Sequence, residues 1–272
     1  MRKARRLLSQ GSFYLVATLV ALPFILPLVW MIASSLRTPG LPPPRGVEWI
    51  PQPLAWGNYP AIFRMIPLAR YIFNSLFVSA AAVFLTLLVA SWAGFGMAQL
   101  GRSARRRLLA FSVGLLMLPV TALWLTRFLL FNALGWIDTY LALWAPALMG
   151  SSPFFVLLFY WAFRRLETEC YEAARLEGAG PLSVWYRVGL PQVRPTVAAV
   201  GSLTFILYWN DFINPLIYLK SQSLYTLAVG LQQLQQLDRT NWPLLLAAAL
   251  VMTLPVVLLF LFAQRYFLHE SS

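Results

Sequence analysis

The chain has 272 residues, of which 60% are hydrophobic, 15% aromatic and only 11% charged. A single soluble core of this size could neither hide that much apolar surface nor cover it with so few charges, and a disordered chain would be far less hydrophobic. An ordinary soluble enzyme and a disordered segment are therefore excluded, and a multi-span, all-α integral membrane protein is expected. The net charge of +12 is read by position, because basic residues beside membrane spans report which side faces the cytoplasm, so no nucleic-acid partner is implied.

Six stretches reach the roughly 20 apolar residues that a helix needs to cross the hydrocarbon layer. They are Phe13–Leu36, Tyr71–Leu100, Leu108–Leu130, Leu141–Phe163, Thr196–Leu219 and Pro243–Phe267. The first follows Arg2, Lys3, Arg5 and Arg6. It is too long for a signal-peptide core, and Ala33-Ser34-Ser35 is a poor cleavage site, so it reads as a retained anchor, the alternative being a cleaved signal, and is kinked at Pro23 and Pro27 unless neighbours accommodate them. Residues 37–70 are proline-rich and predict an extended, ordered strap with little secondary structure. In the second span Ala90, Gly94 and Ala98 recur every four residues, a small-residue face that lets another helix approach closely, the alternative being small residues scattered by chance in an alanine-rich helix.

Fourteen lysines and arginines border one face and six the other, with Arg127 left inside the third span. The positive-inside rule then puts both termini in the cytoplasm: an N-terminal segment 1–12, a six-span domain 13–267 and a short tail 268–272. The loop 164–195, between spans four and five, is cytoplasmic on the same count. It predicts two short helices. The first runs from about Leu166 to Glu177, with Glu167 and Glu169 in its opening turn and Arg175 in its last, all suited to the helix dipole. Gly178 and Gly180 can end it in left-handed geometry, Pro181 can open the second helix, and that helix closes before Pro191. Physics alone leaves two readings of this loop, a docking element for another protein or a solvated surface loop.

Resemblance separates them. Glu172-Ala173-Ala174, Gly178 and Leu190-Pro191 are similar to the EAA loop of ATP-binding cassette importer permeases. Asn58-Tyr59, Tyr71 with Asn74-Ser75, Met117-Leu118-Pro119, Gly135 with Asp138-Thr139-Tyr140, Trp209-Asn210 and Gln264-Arg265 resemble the carbohydrate-uptake branch, in particular the second permease subunit of maltose-type and glycerol-phosphate-type systems. The resemblance implies a non-catalytic permease of the prokaryotic inner membrane. It implies a second permease subunit as partner, two ATPase subunits docked on the EAA helices of the pair, with Glu172, Ala173, Ala174, Gly178, Leu190 and Pro191 as this chain's docking residues, and an extracytoplasmic solute-binding protein. ATP and Mg would be bound by the ATPases, with no cofactor in this chain. That fits the residues themselves: of the two lysines, Lys3 and Lys220, neither sits in a phosphate-binding GKS or GKT context. The chain departs from the family at Glu177, where aspartate is usual, and at Leu125-Thr126-Arg127, where an apolar-proline-leucine step is common.

The substrate pathway is expected to include Arg127, Trp209, Asn210 and Asp211. An intramembrane arginine by default faces a cavity, and the alternative is that Arg127 snorkels to the interface. The Asn210 amide and the Asp211 carboxylate can bond hydroxyls and the Trp209 indole can stack on sugar faces; the alternative is bonding between helices. Asn74 reads as a packing residue. The competing function is an ion- or proton-coupled secondary transporter, which would need buried carboxylates in several spans, where only Asp211 qualifies. One cysteine, Cys170, and one histidine, His269, leave no constellation for an intramembrane enzyme.

Overall fold

The computed structural model describes residues 2–42, 46, 48–237 and 241–268. Asp238, Arg239, His269 and the rest of the tail 269–272 lie outside the described residues. In chain order the helices are α1 (Arg2–Ser35), α2 (Asn58–Met65), α3 (Leu68–Gln99), α4 (Arg102–Leu116), α5 (Trp124–Ala133), α6 (Tyr140–Trp144) and α7 (Pro153–Arg164). They continue with α8 (Thr168–Leu176), α9 (Pro181–Ser183), α10 (Leu190–Gln192), α11 (Arg194–Trp209), α12 (Ile213–Tyr218), α13 (Leu227–Leu237) and α14 (Trp242–Leu268). No strand occurs among the described residues. Among the described residues, four stretches are long and apolar enough to cross a membrane: Phe13–Ser35, Leu68–Gln99, Tyr140–Arg164 and Trp242–Phe262.

Three expected spans are not single straight helices: in the fourth, α6 and α7 are separated by a 3₁₀ turn over Ala147–Met149 and by Gly150 and Ser151 at φ of 75° and 58°. Between α4 and α5 the chain bends by 86°. Pro119 has no N–H to give a continuing helix, and the segment restarts as a 3₁₀ turn over Val120–Leu123. The fifth span is likewise divided. α11 stops at Trp209 because the Asn210 amide donates back to the Ile206 carbonyl at 3.0 Å. Asp211 then accepts from the Asn214 backbone N–H at 3.2 Å and its side-chain amide at 2.8 Å, which opens α12, and Pro215 could not have continued the first helix.

The chain forms two compact units. One comprises 1–68 with 231–254. Here the proline-rich strap is not wholly extended, because residues 58–65 fold as α2. Pro60 sits in the first turn, where a missing N–H costs nothing, and Ile62 is buried. Asn58 donates to the carbonyls of Ser35 and Arg37 at 2.7 and 2.8 Å, which fixes α2 against the end of α1. Ser35 and Tyr59 share a hydroxyl–hydroxyl bond of 2.9 Å. Arg37 pairs with Glu48 at 2.8 Å and lies 5.4 Å from the Trp242 ring centre, and Trp242 donates to the Leu41 carbonyl. α1 runs as helix through Pro23 and Pro27, and its apolar side chains from Phe13 to Ile32 are largely exposed, as befits a segment solvated by hydrocarbon.

The other unit comprises 69–230 with 255–272. Its first core joins Ala90 and Phe95 of α3 to Phe159 and Phe163 of α7, Tyr171 of α8 and Val200 of α11. Gly94 supplies the close approach of α3 to α7 that its spacing implied. A second core gathers Val78 of α3, Phe131 of α5, Leu143 of α6, and Tyr208 and Tyr218 on either side of the α11–α12 break. Polar ties organise the loops beyond it. Asp138 accepts from the backbone N–H groups of Lys220 and Ser221 at 2.8 Å each and from the Ser221 hydroxyl. Asn74 is consumed by the Ser223 and Tyr225 carbonyls at 3.0 and 2.9 Å, the packing role expected of it, and Ser75 accepts from the Leu227 N–H.

Candidate functional site

The loop 164–195 is built around one anchored helix. α8 has Glu169 in its first turn and Arg175 in its last, both favourable to the helix dipole. It ends in a Schellman motif: Ala179 N–H donates to the Ala174 carbonyl at 3.0 Å and Gly178 N–H to Arg175 at 2.9 Å. The motif requires a left-handed residue, and Gly178 has φ of 83°. Tyr171 is buried with its ring edge-on to Phe95, centroids 5.7 Å apart. Burial pushes its phenol up to about 12, so it stays neutral, and its Oη finds no partner among the described residues. Arg175 donates to Gln99 Oε1 at 3.0 Å, a second tie to the end of α3.

Anchoring one face decides which residues face outward. Glu172, Ala173 and Gly178 are exposed, while Ala174 is half-buried against the core. Leu176 is 90% exposed, an apolar side chain with nothing covering it. Sequence reasoning missed it. Five residues beyond Tyr171, it lies about 140° around the helix axis, so the burial of Tyr171 forces Leu176 outward. The signal was available once Tyr171 was recognised as the anchor.

The second half of the loop does not close before Pro191. α9 passes into a π-helical stretch over Val184–Gly189, then α10 carries Pro191 in its first turn, and the break falls at Val193. The wider π turn frees carbonyls that a proline would otherwise obstruct, and Gln192 Nε2 takes up that of Val188 at 3.0 Å. Trp185 is buried edge-on to Trp92 at 5.1 Å, and Gly189 sits against Phe163. Leu190 is half-buried and Pro191 exposed.

The four residues read as pathway candidates lie in two elements. Arg127 is half-buried on α5 and forms no ion pair with a described carboxylate. Trp209 is only 1% exposed and stacks on Phe205 at 5.5 Å, so neither face is open to a ligand in this conformation. Asn210 is exposed. Asp211 is engaged by Asn214 as described above. Tyr208 and Tyr218 lie within electrostatic reach of both Arg127 and Asp211. Tyr208 Oη shares a 3.2 Å bond with Ser151, which in turn bonds Thr86 at 2.5 Å. Tyr218 Oη is buried without a partner among the described residues.

Residues 87–269 match the family described as binding-protein-dependent transport system inner membrane component. The arabinooligosaccharides transport system permease protein AraQ of Halalkalibacterium halodurans is 31% identical over 252 residues, covering 92% of this chain and 90% of the relative. The lactose transport system permease protein LacG of Rhizobium radiobacter is 28% identical, covering 98% and 96%. A solved bacterial ABC transporter involved in import of the acidic polysaccharide alginate shares the fold, with a TM-score of 0.77 at 19% identity over 97% of this chain and 98% of that one.

Proposed function

This chain belongs to the family of binding-protein-dependent transport system inner membrane components, and from that premise we propose a six-span permease that passes a carbohydrate across the inner membrane. As a member of that family it is a non-catalytic, multi-pass membrane subunit of an ABC importer. The carbohydrate class is supported by relatives named for arabinooligosaccharide and lactose transport. The bent pair α4–α5 and the divided α11–α12 make up the third and fifth spans beside the stretches Phe13–Ser35, Leu68–Gln99, Tyr140–Arg164 and Trp242–Phe262. The charge asymmetry supports cytoplasmic termini and a cytoplasmic 164–195 loop.

The observation that carries the mechanism is the docked, Schellman-ended α8, held by Tyr171 while it presents Glu172, Ala173 and Leu176 outward. A rigid helix with an acidic residue, a small one and a bare leucine suits a cleft on a partner ATPase. Ala174, Gly178, Leu190 and Pro191 shape its base. ATP and Mg belong to the two ATPases, a second permease completes the membrane pair, and an extracytoplasmic binding protein delivers solute. Arg127 and Asn210 offer polar groups to the pathway, while Trp209 and Asp211 shape the helix break beside it. Reconstituted vesicles test this against a secondary carrier. Uptake should require ATP and all partner subunits, and uptake driven by an ion gradient with this chain alone would overturn it.

A further inference from the structure

Within the unit of residues 69–230 and 255–272 lies a groove of about 1220 Å³. Val83 and Leu87 of α3, Gly201 and Phe205 of α11, and Phe262 of α14 supply its hydrocarbon walls. The segment 185–194 also lines it, through Arg187 and Arg194 among others, both exposed. Neither guanidinium pairs with a carboxylate among the described residues. Trp185 also lines the groove; it is 8% exposed, and its indole N–H has no acceptor among the described residues. A smaller cavity continues past Arg187 to Leu182 and Tyr186. The site thus joins a long apolar wall to one end bearing two uncompensated cations and a free buried donor.

That distribution matches an amphiphile with hydrocarbon at one end and an anion at the other. A peptide helix would fill the apolar part, but its backbone is internally satisfied and offers the arginines nothing by itself. Basic pockets between helices at the cytoplasmic boundary are suited to anionic headgroups, since each Lys or Arg near such a surface contributes a few-fold in affinity. We propose that this groove is a binding site for an anionic phospholipid, its acyl chains between α3 and α11 and its headgroup on Arg187 and Arg194. The assignment to the cytoplasmic leaflet rests on the topology under Proposed function. The lipid lies against the base of the docking loop, so its headgroup braces the segment 185–194 that carries Leu190 and Pro191.

The test uses the full chain purified with its partner subunits, in nanodiscs of phosphatidylcholine doped with phosphatidylglycerol, with retained lipid identified by native mass spectrometry. Phosphatidylglycerol should be held about 30-fold over its share of the bilayer, the effect expected of two basic side chains. Arg187→Gln combined with Arg194→Gln should abolish that preference, and Gly201→Phe should exclude both lipids by filling the groove. A photoreactive residue at Val83 in the otherwise unaltered chain gives a readout independent of variant assembly, and should capture labelled phosphatidylglycerol. Equal retention of the two lipids, an unchanged preference in the double variant, or capture of the second permease at Val83 would each overturn the proposal. Lipid retention needs neither ATP nor sugar, so its failure is distinct from failure of the transport reading.

Discussion

Gly94 of α3 and Phe159 of α7 meet with no side chain between them: a Cβ built on Gly94 would fall 2.6 Å from Phe159 Cβ and within 3 Å of the Tyr160 nitrogen and the Val156 carbonyl oxygen. Two of those three atoms are backbone, so the neighbour cannot swing aside. Gly94→Ala should therefore force the helices apart and destabilise the unit by about 1–3 kcal/mol, the usual cost of overpacking. Gly96→Ala is the control, because nothing lies within 4 Å of its added Cβ. Thermal unfolding of the detergent-purified proteins should separate the two variants. Equal midpoints would show that the helices relax freely.

Gly94 also shows what the sequence could convey. Small residues every fourth position announce a close helix contact, and Gly178 announces a left-handed helix end, because both signals are local. The 86° bend at Pro119 and the break after Trp209 were hidden inside hydrophobic stretches long enough to cross a membrane. Hydropathy averages over a window and does not register that a backbone carbonyl has found a side-chain partner. Leu176 was missed for a different reason. Its exposure depends on which face of α8 is docked, and that is settled by Tyr171 meeting Phe95 some 76 positions earlier in the chain.

The proposed docking surface predicts a loss of partner without loss of fold. Glu172 and Leu176 are exposed and bond to nothing in the cores, so Glu172→Lys and Leu176→Asp should insert and accumulate normally. Co-purification of the ATPases should fall, and for Glu172→Lys the loss is about 2–5 kcal/mol if the contact is desolvated. Tyr171→Ala should instead damage the chain itself, because it empties the core under α8. Wild-type recovery of the ATPases with both surface variants would remove the loop from the interface.

The charge asymmetry makes a prediction that does not depend on kinship. In a Cys170→Ser background, cysteines at Ser103 and Ser183 should react only with reagents that reach the cytoplasm, and one at Gln222 only from outside. Gln222 is preferred to Ser221, whose hydroxyl and N–H are both engaged by Asp138. Labelling of Ser183→Cys from outside intact cells would invert or break the six-span arrangement.

Asp138 ties its own loop to residues 220–221, and the Ser221 hydroxyl with the Ser221 and Lys220 N–H groups holds its carboxyl below the usual range. A depressed folded value means that the tie contributes stability at neutral pH, and that the contribution is lost as pH falls below the ordinary aspartate value of about 3.9 and through the folded one. Asp138 also has a φ of 62°, which asparagine tolerates. Asp138→Asn should therefore keep the turn while weakening the tie. The difference in unfolding temperature between wild type and Asp138→Asn should be present at pH 7 and shrink in acid. A difference that grows on acidification would contradict the assigned charge state.

Arg127 carries the last prediction. It is half-buried, unpaired among the described carboxylates, and within electrostatic reach of Tyr208 and of Tyr218, whose buried hydroxyl has no partner among the described residues. Asp211 forms no ion pair with it and instead accepts from the backbone and side-chain amides of Asn214. An arginine inside a span with no paired carboxylate is costly unless something in the proposed pathway meets it. The solute that would meet it is an acidic or phosphorylated glycoside, whose charge-assisted hydrogen bond contributes about 1.5–3 kcal/mol. Arg127→Gln should then lower uptake of such a solute roughly 10- to 100-fold at limiting concentration and leave a neutral glycoside nearly unaffected. Arg127→Lys should retain part of the acidic uptake, since it keeps the charge but not the bidentate geometry. The measurement is uptake by the assembled complex with the membrane abundance of each variant matched to wild type. If Arg127→Gln transports every solute near normally, the guanidinium only reaches for the interface, and the pathway takes its selectivity from elsewhere.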